Sequence, residues 1–145
     1  MTAPADHRRL FEGFSSVLNR HAWDRLGQYF EADAEMVYPQ SQERFSGLAN
    51  IQAQYELYPN LGTDMTEVED VVGGTTYALT PMYTIVGIEG TGDRGTAVIR
   101  VRYPDETRWW AILLYELRDG RMSRARVFFA PEFEAPEWRA PFRGS

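Results

Sequence analysis

The chain has 145 residues, 43% hydrophobic and 14% aromatic, enough for one domain with a true core. Its formal charge is -6, from 15 basic residues that are all arginine and 21 acidic ones, which argues against a nucleic-acid stripe or a basic membrane-surface face. The absence of cysteine removes disulfides, thiolate nucleophiles and Cys-type zinc sites, and the absence of lysine removes Schiff-base and P-loop chemistry.

The opening stretch MTAPADHRRLFEGF lacks the apolar run of a signal peptide. No segment approaches the ~18 apolar residues of a membrane span, so a cytoplasmic setting is expected. Leu10, Phe11, Phe14, Val17, Leu18 and His21 recur at spacings of three and four, which predicts one face of a helix. A second helix is expected over 22–30, carrying Trp23, Leu26 and Phe30. ADAEMVYP alternates weakly and stops at Pro39, as a strand does, and a polar loop follows. Ser46 is the expected N-cap of a third helix with Leu48, Ile51, Tyr55 and Tyr58 inward and Pro59 as its stop.

After NLGTD, read as a turn, the period changes to two. TEVEDVV, TTYALTPMYTIVGIE, GTAVIRVRYP, TRWWAILLYELR and RMSRARVFFA read as strands, punctuated by Gly73-Gly74, GTGDRG, PDE and RDG. Pro81 suggests a bulge or an edge. Helices first and a bent antiparallel sheet second point to α+β, with the helices on one face of the sheet. Residues 1–145 form a single domain. Its last stretch, 131–145, places a proline every five residues and an aromatic close behind each. It is expected to be an extended strap pressing Phe133, Trp138 and Phe142 onto the domain. A flap over a pocket mouth, or an arm reaching a second subunit, is the sharper alternative.

Other motifs dissolve on inspection. GIEGTGDRG is glycine-rich after a strand, but a dinucleotide fingerprint needs a helix next, and strand-like TAVIRVRY follows. No H-E-x-x-H occurs, and His7 and His21 are too far apart on a helix to clamp one metal. Neither metal nor cofactor is expected. His21 reads as a helix-end residue whose ring packs or caps.

FSSVLNRHAWDRLGQYFEADAEMVYP followed by SGLANIQAQY resembles the start of an NTF2-like domain of the SnoaL-like kind. GTGD…RYPDETRWW, YELRDGRM and FFAPEFEAPEWRAPF extend the likeness over nearly the whole chain. The resemblance implies a cone: three N-terminal helices in the concave face of a curved, mainly antiparallel sheet, with a hollow between. It also implies homodimers paired through the outer sheet face. Fold does not fix function, and the acid/base residues of the relatives do not carry over. Against ketosteroid isomerases, the phenol donor falls on Phe14, the base on Tyr38 and the protonated acid on Leu113 or Leu114. Against limonene epoxide hydrolases, the last-strand acid falls on Val127, and the earlier Arg and Asp fall near Thr96 and Val98. RVFFAP has no acid of the polyketide-cyclase type, and both histidines lie in the first helical segment, not deep in the cone.

A free phenol has a pKa near 10, so at pH 7 about one in a thousand is ionised. A general base is typically worth about 10²–10⁴, and an unassisted Tyr38 would lose most of that. As a neutral hydrogen-bond donor it loses nothing. Arg44, folded back over the hollow, would lower the Tyr38 pKa. Glu43 is the nearest remaining carboxylate, a rim acid/base or a solvated loop charge. Strand parity puts Glu116 outside.

Period two and helix spacing place Phe14, Leu18, Tyr38, Ile51, Tyr55 and Tyr58 inward from the first half. They place Trp109, Leu113, Tyr115, Val127 and Phe129 inward from the second. Such a lining suits a flat, mostly hydrophobic ligand with one or two oxygens; rings that pack on one another would leave little space. Two functions stay open. One is a module that binds such a molecule without acid/base residues. The other is a cofactor-independent isomerase, cyclase or dehydratase acting on a polyketide- or steroid-like substrate, with Tyr38 as donor.

Overall fold

The computed structural model describes residues 4–59, 83–103 and 107–144. Helix α1 spans Pro4–Asn19 and a 3₁₀ helix spans Trp23–Gln28. Strands β1 (Phe30–Tyr38) and β2 (Glu43–Ser46) precede helix α2 (Leu48–Glu56). Strands β3 (Tyr83–Thr91), β4 (Arg94–Arg102), β5 (Arg108–Arg118) and β6 (Arg121–Pro131) follow. A 3₁₀ turn, Glu137–Phe142, lies beyond β6. The fold is α+β: the described residues form a six-stranded sheet in the order β2-β1-β6-β5-β4-β3, antiparallel except where β1 meets β6. None of the described helices is long and apolar enough to cross a membrane.

The predicted stripe on α1 is real. Leu10, Phe11, Phe14, Val17 and Leu18 are all buried against the sheet, the narrow apolar face that three-and-four spacing produces. The stripe stops short of His21, which has φ +55° beyond the helix end and stacks on Trp23 at 5.1 Å. The second helix is a 3₁₀ segment only, and Phe30 opens β1. Gly27 and three polar residues, Asp24, Arg25 and Gln28, leave it few apolar anchors, and Leu26 alone is buried. ERFS, expected as loop, is the edge strand β2, paired with β1 from Glu35–Ser46 to Tyr38–Glu43. Ser46 therefore does not cap α2. The N-cap is Gly47, whose φ of +87° turns the chain out of the strand, and no side chain caps the helix.

Two hairpin turns follow their residues. Asp119-Gly120 between β5 and β6 has positive φ at both positions, as a two-residue type I′ loop demands. Between β3 and β4, Gly92 has positive φ and Asp93 does not, which fits type II′. The register shifts between β1 and β6 from Phe30 to Glu35, and two single-residue bulges interrupt the antiparallel ladders. Val86 is the extra residue of β3 opposite β4, and Ser123 that of β6 opposite β5. The TEVEDVV strand, the NLGTD and PDE turns, Gly73-Gly74 and Pro81 lie outside the described residues.

Inward residues of β4, β5 and β6 alternate with outward ones and meet α1 in one core: Ile99 and Val101, Leu113 and Tyr115, Ala125 and Val127. At one end of the core, His7 is fully buried between Tyr115 and the β3–β4 turn. Its Nε2–H donates to the Gly92 carbonyl at 2.8 Å, and the Tyr115 hydroxyl donates to its Nδ1 at 2.8 Å. The carbonyl only accepts, which fixes the proton on Nε2 in the neutral ring.

The chain beyond β6 does not press its rings onto the domain. Phe133, Trp138 and Phe142 are 78%, 70% and 81% exposed. Its root is tied down, since the Glu132 N–H donates to the Arg108 carbonyl and its carboxylate pairs with Arg100. Proline at 131, 136 and 141 keeps the following backbone from folding back as a strand.

Candidate functional site

A hollow of about 190 Å³ opens between α1, α2 and the concave face of the sheet. The rings do not fill the cone. Helix α1 contributes Phe14 and Leu18, and β6 contributes Val127 and Phe129. Leu113 of β5 forms the floor with Ala111, and Ile99 and Val101 of β4 continue it. The polar tips come from Tyr38 at the end of β1, Gln54 and Tyr55 on α2, Tyr58 just after it, Tyr83 at the start of β3 and Tyr103 after β4. Tyr58, 37% exposed, stands where the hollow meets solvent and stacks on Tyr103 at 5.3 Å.

Of the inward positions expected from sequence, Ile51, Trp109 and Tyr115 do not line this hollow. Ile51 is sealed in the core beneath α2. Trp109 stands edge-on behind Tyr103, and its indole N–H donates to Thr107. Tyr115 points inward as parity requires, but at the far end of the cone, on His7 and Phe11. Parity gives the face of a strand, not the height along it. Sequence reasoning missed Gln54, Tyr83, Ile99, Val101, Tyr103 and Ala111. Gln54 has the same three-residue offset from Ile51 that Tyr55 has in four, and Ile99 and Val101 follow the alternation of GTAVIRVRY. Both signals were present.

Tyr38 donates its hydroxyl proton to Gln54 Oε1 at 2.8 Å, and its ring is clasped edge-on by Phe45 and Phe129, each at 5.0 Å. Gln40 holds that end of the hollow together: its side-chain amide bonds both the N–H and the carbonyl of Phe129. Burial pushes the Tyr38 phenol well above its ordinary value, and the nearby Tyr83, Tyr103 and Glu43 push it further. Tyr55 and Tyr83 are raised for the same first reason, burial, each reinforced by the neighbouring phenols. All three are neutral donors at any physiological pH.

Glu43 sits across the β1–β2 ladder from Tyr38, but it is exposed and accepts a bond from Ser41 Oγ at 2.6 Å. It does not line the hollow. Arg44 does not fold over Tyr38; it pairs with Glu35 on the other face of the sheet. Glu116 also faces out, opposite Arg94 and Arg124 in the ladder. Among the described residues, buried His7 and Glu31 are occupied elsewhere: His7 in the far-end core, Glu31 with Arg121 at 2.9 Å.

A curved, mainly antiparallel sheet closed over helices, with a hollow at its open end, defines the NTF2-like class of cone. Within it, a family model for the SnoaL-like domain matches residues 8–125, and the chain belongs to that family. An NTF2-like protein of unknown function from Burkholderia xenovorans LB400 superposes with a TM-score of 0.74 at 21% identity, covering 97% of this chain and 95% of that one. A candidate ketosteroid isomerase from Kribbella flavida DSM 17836 gives 0.73 at 21% identity, over 100% and 93%. An LEH-like epoxide hydrolase from M. tuberculosis gives 0.61 at 16% identity, over 87% and 84%. At these identities the likeness is one of fold alone. No curated protein matches the chain.

Proposed function

We propose that the domain binds a small, mostly hydrophobic, oxygen-bearing molecule in the cone, without acid/base chemistry. The lining carries this reading. Its walls are apolar, its polar tips are phenols and one amide, and among the described residues that line it there is no carboxylate, imidazole or guanidinium. An apolar cavity of about 150 Å³ is enough to hold benzene, so this larger hollow suits a ligand of one ring or two.

The second reading is an isomerase, cyclase or dehydratase acting on a polyketide- or steroid-like substrate. The bonded Tyr38–Gln54 pair at the wall of an apolar hollow favours it, because such a pair could polarise a carbonyl. Tyr38 would then act as donor by turning its hydroxyl from Gln54 Oε1 to the substrate oxygen, and Glu43 would act from the rim.

We also infer that two copies pair through the outer sheet face. Val98, Ile112 and Phe128 form one cross-strand row there, and Ile112 is 37% exposed. Arg94, Glu116 and Arg124 form a second row of alternating sign, which can meet its own copy with charges matched.

Native mass spectrometry of the purified protein tests both statements together. A co-purified organic adduct on a particle of twice the chain mass is expected. Tyr38→Phe should then hold affinity within about tenfold, since one neutral hydrogen bond is worth ~0.5–1.5 kcal/mol. A variant that keeps affinity but loses turnover of a substrate would instead establish the enzyme.

A further inference from the structure

The chemical class of the ligand follows from counting donors and acceptors around the hollow. The Tyr83 hydroxyl makes no hydrogen bond to the described residues. Tyr55 places its hydroxyl between the Met36 thioether, at 3.7 Å, and the Tyr38 hydroxyl oxygen, which can accept its proton. The Gln54 amide N–H finds the same sulfur at 3.9 Å, while its carbonyl is taken by Tyr38. A thioether is a weak acceptor. The Tyr83 O–H and the Gln54 N–H therefore face the hollow without a strong acceptor among the described residues, and buried donors are as a rule satisfied.

Tyr83 is not a loose ring that happens to lie there. Asn19, buried at the last turn of α1, receives the Tyr83 N–H at 2.9 Å and donates to the Tyr83 carbonyl at 3.1 Å. Both backbone groups of Tyr83 are thereby clamped to the helix. The ring is aimed into the hollow from a fixed point. Tyr38 and Tyr55 press close enough that ionising any one phenol is opposed by the others.

We propose that the ligand is a neutral carbonyl compound, a flat ketone, enone, quinone or lactone, whose oxygen takes its principal hydrogen bond from Tyr83, supported by the Gln54 N–H. This rests on the reading of the hollow as a ligand site. A carboxylate is rejected, because an ion brought into such a space without a cation loses far more hydration than phenols return. A bare hydrocarbon enters but leaves the donors unpaired. Asn19 is a positioning residue that acts through Tyr83.

The test is calorimetric titration of the full chain at about pH 7.5 with naphthalene, 2-acetylnaphthalene and 2-naphthoate, where the acid is fully ionised. The ketone should bind about fivefold or more tighter than naphthalene and at least about tenfold tighter than the naphthoate. Tyr83→Phe should bring the ketone to within about twofold of naphthalene and leave naphthalene itself unchanged. If that variant does not fold by circular dichroism, Gln54→Met should still lower the ketone's advantage, by about twofold or more. Naphthoate binding as tightly as the ketone, or a ketone advantage untouched by either variant, overturns the assignment. Naphthalene binding with no gain for the ketone overturns the donor role alone. Failure of all three probes overturns the ligand site as well.

Discussion

Phe14→Ala is expected to destabilise the domain by about 3–5 kcal/mol, the usual cost of deleting a core aromatic ring. Phe14 is 1% exposed. Its ring meets Phe11, Phe30 and Tyr55 edge-on, at 5.8, 5.2 and 6.2 Å. It is also the α1 wall of the hollow. Deleting it would join the new void to the existing one, and the surroundings could not collapse to fill both. The upper half of the range is therefore the expectation. A urea melt measures it, and a loss under about 1 kcal/mol would mean that the ring is not packed as described.

Gly95→Val should be the most damaging single change at the other end of the cone. Gly95 and Gly90 pair across β4 and β3, and together they form a slot for two rings. A Cβ on Gly95 would lie inside van der Waals contact of the Tyr115 hydroxyl and 2.8 Å from the Glu89 carbonyl oxygen. A Cβ on Gly90 would lie 2.7 Å from His7 Nδ1. The new side chain must expel Tyr115, and His7 then keeps an unpaired nitrogen in a fully buried place. Overpacking costs about 1–3 kcal/mol, and an orphaned buried polar group adds about 1–3. Against the ~5–15 kcal/mol that holds a domain together, the sum of about 2–6 leaves little. A variant that melts within a few degrees of the parent in calorimetry would refute the slot.

The large features were legible because they rest on periodicity. Three-and-four spacing in α1 and the switch to period two after it give the α+β order, and Asp119-Gly120 marks its own hairpin. What failed has physical causes. ERFS has one apolar residue, Phe45, so a short strand with little to bury carries almost no hydrophobic signature. Ser46 looked like a cap because capping statistics favour serine, but Gly47 could adopt the positive φ that leaves the strand. Tyr115 and Leu113 have the same parity, and only the curvature of the sheet sends one to the hollow and the other to His7. Tyr83 was invisible as a site residue, because its clamp is Asn19, 64 positions away.

Among the described residues that line the hollow, none but the phenols titrates, and pH tests that most directly. Below about pH 10 the folded and unfolded chains both keep these phenols protonated. Burial raises the folded values of Tyr38, Tyr55 and Tyr83, with neighbouring phenols next, and burial lifts Tyr115 to about 12. Above pH ~10 the unfolded chain releases protons that the folded chain retains, so stability is full below that value and falls as pH rises through it. The affinity of 2-acetylnaphthalene, which does not itself titrate, should accordingly stay within about twofold from pH ~5 to ~9.5. A step of about tenfold centred between pH ~5 and ~9 would contradict this, because only a carboxyl or imidazole facing the ligand could produce it.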